Sequence, residues 1–351
     1  MPEAVCPGPR GFASCVIEWQ KAHGRHHLPW QKTADPYRIW LSEIMLQQTQ
    51  VQTVMPYYER FLARFPTLEA LAGAPIDRVL EVWSGLGYYA RARNLHRCAQ
   101  VLVINRAGRF SADPEENAAL PGIGRSTAAA IAVFAFGRRA AILDGNVKRV
   151  LGRCFALAGG SSAARAEREM WALAESLLPD SGVESYSQGM MDLGATVCTR
   201  HQPACHACPL RQTCVACREG RQAELPQPRM RARLPLRSSR LLLLSDGRRV
   251  LLERRPPSGI WGGLLSLPEL GDESPEALAR RHGCRLLGSR TLPPMVHSFS
   301  HFRLRIEVVH GAVDDIGHGV GEAIVEWLPV EQLAAAALPA PIRKLLLAAM
   351  A

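Results

Sequence analysis

The stretch Leu120–Arg153 contains L-P-G-I-G-R-S-T-A-A-A-I, then an apolar run, then I-L-D-G-N-V-K-R-V. Gly122 and Gly124 bound a turn, and the residues after it, Arg125–Phe136, are rich in helix formers. The first amides of such a helix have no partner within the helix, so they are free to bind a phosphate. A lone Gly-x-Gly also fits an ordinary loop between helices. Taken alone, the stretch predicts two helices joined by a turn that offers a candidate phosphate site.

Asp144 is the first candidate catalytic residue. In the sequence Asp144-Gly145-Asn146 it can cap the predicted helix Val147–Phe155 and still present a carboxylate beside the phosphate site. An N-capping aspartate is often only structural. A catalytic role for Asp144 therefore depends on support from the rest of the chain.

Composition limits the possible classes of protein. The chain has 351 residues, which is long for one core and predicts two domains, and 47% of the residues are hydrophobic, which is typical of a globular protein. The formal net charge is +10, which indicates a polyanionic partner, either nucleic acid or an acidic membrane surface. No apolar run approaches the roughly 20 residues of a membrane span. Met1–Arg10 also lacks the pattern of a signal peptide, so we expect an intracellular protein.

Glu43 is the second candidate catalytic residue. Asp35-Pro36 is typical of a helix start, and we expect a helix over Tyr37–Thr49. On that helix Glu43 lies at the edge of the apolar stripe, with Ile39 and Leu46 one turn away on either side. Burial there would raise the pKa of the carboxyl, as a general acid at neutral pH requires. The alternative is a structural glutamate paired with an arginine.

Two other segments are candidates for nucleic-acid contacts. Gln48 and Thr49 belong to a polar run that is an unlikely continuation of a core helix. In Gly85-Leu86-Gly87-Tyr88-Tyr89, glycines frame an apolar tip and an aromatic, and Leu86 and Tyr88 suit a wedge pushed between base pairs. An interhelical turn whose tyrosines pack inward fits the same segment equally well.

The strongest single signal is a group of cysteines. Cys198, Cys205, Cys208 and Cys214 have the spacing C-x6-C-x2-C-x5-C, and they account for four of the chain's 10 cysteines. Four thiolates suit either zinc or a [4Fe–4S] cluster. Zinc sites usually have two short C-x2-C knuckles, whereas these four cysteines include one, Cys205 and Cys208, which favours the cluster. Cys217 stays open as an alternative fourth ligand.

Residues from about Leu28 to Cys214 resemble the endonuclease III superfamily of helix-hairpin-helix, iron–sulfur DNA glycosylases, and more closely its adenine-specific MutY branch. The matching segments follow in the family's order: L-P-W-Q at Leu28–Gln31, W-L-S-E-I-M-L-Q-Q-T-Q-V, G-L-G-Y-Y-A-R-A-R-N-L, L-P-G-I-G-R-S-T, I-L-D-G-N-V-K-R-V, Q-G-M-M-D-L-G-A and the four cysteines. The resemblance implies an all-helical glycosylase domain over residues 1–217, with a [4Fe–4S] cluster held by residues 198–214. Relatives with lyase activity carry a lysine directly after the arginine of the hairpin motif, where this chain has Ser126. Because serine cannot form an imine, the resemblance implies a monofunctional glycosylase, with any strand nicking incidental and through Lys148.

The C-terminal part differs in composition. Residues 218–240 include seven arginines, three prolines and two glutamates, and they are predicted to form a basic linker. The last segment, 241–351, opens with a hairpin of Leu241–Ser245 and Arg249–Glu253 and resembles a Nudix-like α/β sandwich, with R-R-P-P-S-G-I-W-G-G-L at Arg254–Leu264 as the entry motif. We therefore expect a multidomain α and α/β protein.

The Nudix-like segment lacks the carboxylates of a working Nudix metal site. Gly263 and Glu269 fit the start of the motif, but Ala277, Leu278, Arg280 and Arg281 occupy the region of most remaining ligands. We interpret the segment as a recognition domain. In MutY-type enzymes the loop matched by Phe299-Ser300-His301 contacts 8-oxoguanine opposite the adenine.

The resemblance assigns a role to each candidate residue. Glu43 would protonate adenine N7, and Asp144 would stabilise the oxocarbenium-like sugar or add to it covalently. Ser126 would assist beside Asp144, while Gln188 and Trp30 would line the adenine pocket. After the base is extruded, the gap in the duplex would be filled or propped by Gln48, Leu86 and Tyr88.

The expected partner is double-stranded DNA containing adenine opposite 8-oxoguanine or guanine, with no membrane partner and a monomeric enzyme. The expected compartment is the bacterial cytoplasm, or the nucleus or mitochondrion of a eukaryote. Two alternative functions are a non-catalytic DNA- or nucleotide-binding protein and a lyase-type glycosylase for oxidised pyrimidines. The presence of both carboxylates argues against the first, and Ser126 together with the second domain argues against the second.

Overall fold

The computed structural model describes residues 8–157, 162–226, 234–256, 259–314 and 325–350. The chain divides into two compact units. The first comprises Met1–Gly73 and Asn94–Met230, and the second comprises Ala74–Arg93 and Arg231–Ala351. The segment Ala74–Arg93, which lies inside the predicted glycosylase domain, thus groups with the C-terminal part of the chain.

Helices make up most of the chain up to Arg218, as predicted. Of these helices, α5 and the first turn of α6 belong to the second unit and the others to the first. Their bounds are α1 (Gly8–His23), α2 (Pro36–Leu46), α3 (Val51–Arg64), α4 (Leu68–Ala72), α5 (Ile76–Trp83), α6 (Ala90–Arg106), α7 (Pro114–Ala118), α8 (Arg125–Phe136), α9 (Gly145–Cys154), α10 (Ala163–Ser176), α11 (Val183–Asp192) and α12 (Val215–Arg218).

Two predicted helix ends were wrong. The helix expected over Tyr37–Thr49 ends at Leu46, because Gln47 has ψ 112° and Gln48 has φ 56°, and neither angle is helical. Gln48 and Thr49 therefore lie in the turn before α3. The residue pattern also predicts one helix over Tyr186–Thr196, but the α-helix ends at Asp192, and a π-helical turn over Leu193–Val197 follows it.

The first unit has two groups of fully buried side chains that fix the helices carrying the candidate carboxylates. On α2 the buried residues Trp40, Leu41 and Met45 leave Glu43 at the edge of the core. Around α9, Val147 and Leu151 pack in a second cluster that includes Leu193 and the buried Cys214. The burial of these apolar faces sets the orientation of both helices.

The described strands of the second unit form one mixed, seven-stranded sheet. The predicted hairpin is confirmed, with Ser245 opposite Val250, although its first strand begins earlier than expected. The first strand pairs in parallel with the sixth, and the other pairings are antiparallel. The strands are β1 (Leu236–Ser245), β2 (Arg249–Arg254), β3 (Leu265–Ser266), β4 (Arg285–Thr291), β5 (Met295–Ser298), β6 (Arg303–Asp314) and β7 (Val325–Pro329), and the helices that follow β3 and β7 are α13 (Pro275–Arg281) and α14 (Ala340–Ala349).

Both faces of this sheet are covered. Alternate residues of a strand point to opposite faces, so Leu241 and Leu243 pack in one core with α14, and Leu242 and Leu244 pack in the other with α13. This arrangement explains why four consecutive leucines are all buried, and it confirms the predicted α/β sandwich. Part of the predicted linker (227–233) and part of the entry motif (257–258) lie outside the described residues.

None of the described helices is long and apolar enough to cross a membrane.

Candidate active site and nucleic-acid interface

The first unit contains a cavity of about 740 Å³ that brings together several of the predicted site residues. Glu43, Asp144, Trp30, Thr49 and Gln188 all line it. They come from segments far apart in sequence, so the fold of the helical unit assembles the site. Further polar residues on its wall, which the sequence analysis did not select, are Arg25, His26, Gln31 and Asn146.

Glu43 reaches this cavity from the solvent-facing edge of α2. Burial, followed by the negative charge of Asp144, raises the pKa of Glu43 from its ordinary value of 4.5 to about 8. The side chain keeps intermediate exposure because it faces the cavity, and water in the open cavity would offset part of this desolvation. A ligand that fills the cavity would remove that water and favour the protonated carboxyl at neutral pH.

Asp144 caps α9, as the sequence predicted. Its Oδ1 accepts a hydrogen bond from the Val147 amide at 2.8 Å, and its Oδ2 accepts one from Asn146 Nδ2 at 3.0 Å. Both donors belong to the first turn of α9. The two bonds also hold the carboxylate in one orientation beside the cavity.

Arg149 extends this arrangement to the cysteine loop. Its guanidinium donates to Asn146 Oδ1 at 2.9 Å, to the Gly194 carbonyl at 2.5 Å and to the Cys198 carbonyl at 2.7 Å. A side chain at Gly194 would place its Cβ 2.5 Å from Asn146 Cβ, so the close approach requires glycine. The π-helical turn and the cysteine loop therefore support the residue that orients Asp144.

Trp30 and Gln188 form other parts of the cavity wall. Trp30 is mostly buried and meets the ring of Tyr58 edge-on, with centroids 5.4 Å apart. Gln188 lies on α11, and its Nε2 donates to Asp192 Oδ1 at 2.9 Å. Both side chains are thus held by neighbours that were not predicted from the sequence.

The predicted site residues Gln48 and Ser126 do not line the cavity. Gln48 is exposed in the turn between α2 and α3. Ser126 Oγ accepts a hydrogen bond from the Leu143 amide at 2.8 Å, so it holds the residue next to Asp144. Lys148 Nζ pairs with Glu167 Oε1 at 2.6 Å.

The turn at Gly122 and Gly124 joins α7 to α8. Gly122 has φ 74°, and a Cβ there would lie 2.6 Å from Asn94 Cβ, so both conformation and space require glycine. Gly124 is the N-cap of α8, with no side-chain cap, and it is exposed. The free amides at this helix end have the geometry of an anion site.

The four predicted cysteine ligands line one small cavity together with Cys154 and Cys217. Arg153 donates to Cys198 Sγ at 3.3 Å, and Cys217 hydrogen-bonds to Cys205. In the described part of the chain, no three His, Cys, Asp or Glu side chains converge closely enough to hold a single metal ion. Four cysteine side chains around one cavity are a donor set of the kind that holds a [4Fe–4S] cluster, with one thiolate on each iron atom.

In the second unit, the glycine-framed turn after α5 has two buried side chains and one exposed side chain among its three large residues. Leu86 and Tyr89 are buried, at 6% and 9% exposure, whereas Tyr88 is 49% exposed with φ 49°. Of the two tyrosines, only Tyr89 packs inward, and Leu86, which was predicted to belong to the wedge, is buried as well. Tyr88 is the side chain that this turn presents to solvent.

Phe299, Ser300 and His301 form the turn between β5 and β6. Phe299 stacks on Phe302, with ring centroids 4.4 Å apart, and its amide donates to the Phe302 carbonyl at 2.8 Å. Ser300 and His301 are exposed, and Ser300 Oγ lies 3.2 Å from His301 Nδ1. The phenylalanines thus support a tip whose polar side chains face solvent.

The positions that would carry metal ligands in a working Nudix enzyme make other contacts in this chain. Leu278 is buried on α13, and Arg281 pairs with Glu273 at 2.5 Å. Glu269 pairs with Arg255 at 3.1 Å. These contacts agree with the interpretation that the domain does not assemble a Nudix metal site.

The comparisons with known proteins cover both units. Residues 41–176 match the family model of the HhH-GPD superfamily base excision DNA repair proteins, and residues 240–348 match the NUDIX domain model. The adenine DNA glycosylase of Buchnera aphidicola subsp. Baizongia pistaciae is 33% identical over 95% of this chain and 95% of its own length.

Two solved structures resemble the helical unit. A thermostable thymine-DNA glycosylase is 29% identical, with a TM-score of 0.54 over 60% of this chain and 97% of its own length. Endonuclease III in a non-covalent complex with DNA is 22% identical, with a TM-score of 0.51 over 61% of this chain and 98% of its own. The second likeness shows the fold alone.

Proposed function

The chain belongs to the adenine DNA glycosylases of base-excision repair, and we propose that it removes adenine paired with 8-oxoguanine or guanine by acid-assisted, monofunctional hydrolysis. Cleavage of the N-glycosidic bond of adenine in DNA is the activity of the family. The identity of the opposite base, the roles of the individual residues and the absence of a lyase step are our proposal.

The observation that carries the proposal is that Glu43 and Asp144 line one cavity and that the pKa of Glu43 is raised to about 8. Glu43 can therefore stay protonated at neutral pH, while two hydrogen bonds hold the Asp144 side chain in place. This is the division of labour that glycoside hydrolysis requires.

Catalysis begins with protonation of the base. Glu43 donates its proton to N7 of the extruded adenine, which makes the base a better leaving group. The sugar gains oxocarbenium character at C1′, and the Asp144 carboxylate stabilises that charge or adds to C1′. Asn146 and Val147 keep the carboxylate oriented throughout. Water then completes the hydrolysis at C1′.

Ser126 supports the absence of a lyase step. A lyase forms an imine with the sugar through an amine, and a hydroxyl cannot do so. The Ser126 hydroxyl instead accepts the Leu143 amide and so acts on Asp144 through the backbone. Lys148 is paired with Glu167, which argues against a free amine nucleophile at that position.

Iron–sulfur clusters are typical of this family, and we propose that Cys198, Cys205, Cys208 and Cys214 hold a [4Fe–4S] cluster. The cluster would fix the loop whose Cys198 carbonyl accepts the Arg149 guanidinium. Its proposed contribution is structural, and the catalytic steps use the two carboxylates.

DNA contacts are proposed at three places. The amides after Gly124 would bind a backbone phosphate. The exposed Tyr88 would fill the gap left by the extruded base. The turn of Phe299, Ser300 and His301, whose two polar side chains are exposed, would contact the base opposite adenine. One chain holds both carboxylates, so a monomer suffices, and it would act on the DNA of the bacterial cytoplasm or of a eukaryotic nucleus or mitochondrion.

The proposal is tested by incubating the purified protein with duplexes that carry adenine opposite 8-oxoguanine, adenine opposite guanine, or thymine glycol, with and without alkali. We expect adenine release from the first two and strand breaks only after alkali. Strand breaks without alkali, or preferential attack on thymine glycol, would support the lyase-type alternative. Binding without base release would support a non-catalytic DNA-binding protein.

A further inference from the structure

The wall of the active-site cavity contains a buried ion pair that the mechanism above does not use. Asp192 ends α11 and is fully buried. Its Oδ1 accepts from Arg25 Nε at 2.7 Å, and its Oδ2 accepts from the Arg25 amide at 2.9 Å. Its Oδ1 also accepts from Gln188 Nε2 at 2.9 Å.

This arrangement fixes the orientation of the Gln188 amide. A carboxylate paired with arginine can only accept hydrogen bonds, so the amide must turn its NH₂ group toward Asp192. The carbonyl oxygen Oε1 then lies on the other side of the amide. Gln188 and Arg25 both line the cavity, whereas Asp192 lies behind them.

The backbone is shaped to permit this contact. Gly24 precedes Arg25, and a Cβ there would lie 2.5 Å from the Gln20 carbonyl oxygen and 3.1 Å from Asp192 Oδ2. Only glycine lets the chain bring the Arg25 amide onto the carboxylate. A buried charge is costly unless its partners are complete, and here both carboxylate oxygens are paired.

We propose that Asp192 is a positioning residue that holds the Gln188 carbonyl oxygen toward the base, where it accepts a hydrogen bond from the 6-amino group of adenine. A purine with hydrogen at that position makes no such bond, and one with a carbonyl group places two acceptors against each other. Asp192 would thereby select adenine without touching it. This inference rests on the proposed function, because it assumes that the cavity receives the adenine base.

The test compares single-turnover excision of adenine with excision of unsubstituted purine, placed opposite the same base. Gln188→Leu removes the acceptor, and Asp192→Ala removes the group that orients it. Each change should lower the adenine-to-purine rate ratio about tenfold relative to the wild type, the value of one hydrogen bond. The double variant should lose no more than either single variant, because both changes remove the same interaction.

A conservative variant separates positioning from general support of the fold. In Asp192→Asn the side-chain carbonyl oxygen can still accept from Gln188, so this variant should keep most of the ratio. If Asp192→Ala slows both bases equally and leaves the ratio unchanged, the residue is only structural and the inference is wrong. Should Asp192→Ala fail to fold, a Gln188→Leu variant with the full wild-type ratio would overturn the inference by itself. A wild-type protein that is inactive on adenine would overturn the proposed function as well, so the two failures are distinguishable.

Discussion

Glu43 on α2 and Asp144 at the N-cap of α9 face the same cavity, and the charge of Asp144 adds to burial in raising the pKa of Glu43 to about 8. The second carboxylate therefore helps to keep the first one protonated. A single interaction thus links the proposed proton donor to the proposed sugar-stabilising carboxylate.

The pH dependence of excision follows from this pair. The active form of Glu43 is protonated, so the single-turnover rate should fall as pH rises through about 8, by roughly tenfold per unit above it. Because the charge of Asp144 contributes to the raised pKa of Glu43, Asp144→Asn should lower that pKa. The residual excision rate of this variant should therefore begin to fall at a lower pH than the wild-type rate. The rates are measured with saturating enzyme between pH 6 and 10, in intervals of about half a unit. An alkaline limb at the same pH in both proteins would argue against coupling of the two carboxylates.

Asp144→Asn should lose activity for an electrostatic reason and not because a helix cap is weakened. Asp113 is the N-cap of α7 and accepts the Glu115 amide at 2.9 Å, so Asp113→Asn removes an equivalent cap carboxylate. Both variants should lose about 1 kcal/mol of stability or less. Only Asp144→Asn should lose excision, by at least about 10²-fold, since a developing positive charge loses its counter-charge. Equal losses of rate in the two variants would assign the effect to capping.

The cysteine cavity predicts a coloured protein. The purified protein should absorb broadly near about 400 nm and contain iron. Cys208→Ser should lose both properties and give less soluble protein, because the loop held by Arg149 and Arg153 loses its anchor. Cys98→Ser is a suitable control, since Cys98 is a buried cysteine of α6. Colourless, active protein with stoichiometric zinc would refute the cluster assignment.

The tip between β5 and β6 should determine preference for the opposite base. Ser300→Ala and His301→Ala remove exposed polar groups and leave the stacked Phe299 and Phe302 in place. Each change should lower the ratio of the excision rate opposite 8-oxoguanine to the rate opposite guanine. A base-directed contact is worth about 1–3 kcal/mol, so we expect the ratio to fall roughly ten- to a hundredfold. The loss at Ser300 is the smaller one if part of its contact comes from the backbone. Ser298→Ala, an exposed serine of β5, is the control, and an unchanged ratio in all three variants would show that another element reads the opposite base.

The sequence was most informative where the chemistry is local. Asp144 was identified because an N-cap needs only the residues beside it, and Glu43 because its helix has a clear apolar stripe. The hairpin of β1 and β2 was likewise marked by its own turn residues, Asp246-Gly247. The sequence did not predict the hydrogen bond between Ser126 and the Leu143 amide, or the positive φ of Gln48. Both features depend on the surrounding fold.

Contacts between distant segments could not be predicted in this way. Arg25 and Asp192 are separated by 167 positions, and no local pattern connects them. The burial of Leu86 and the grouping of Ala74–Arg93 with the C-terminal unit also depend on long-range packing. The sequence predicted the two candidate carboxyl groups that line the cavity, but the residues that orient them became visible only in the folded chain.

The most direct test of the account is single-turnover excision of adenine opposite 8-oxoguanine by Glu43→Gln, compared with Glu59→Gln as an exposed glutamate of α3 outside the cavity. The substitution keeps the shape of the side chain and removes the proton donor, so we expect the excision rate to fall by about 10²–10⁴-fold while duplex binding persists. Glu59→Gln should excise at the wild-type rate. Near-normal excision by Glu43→Gln would contradict the assignment of Glu43 as the acid.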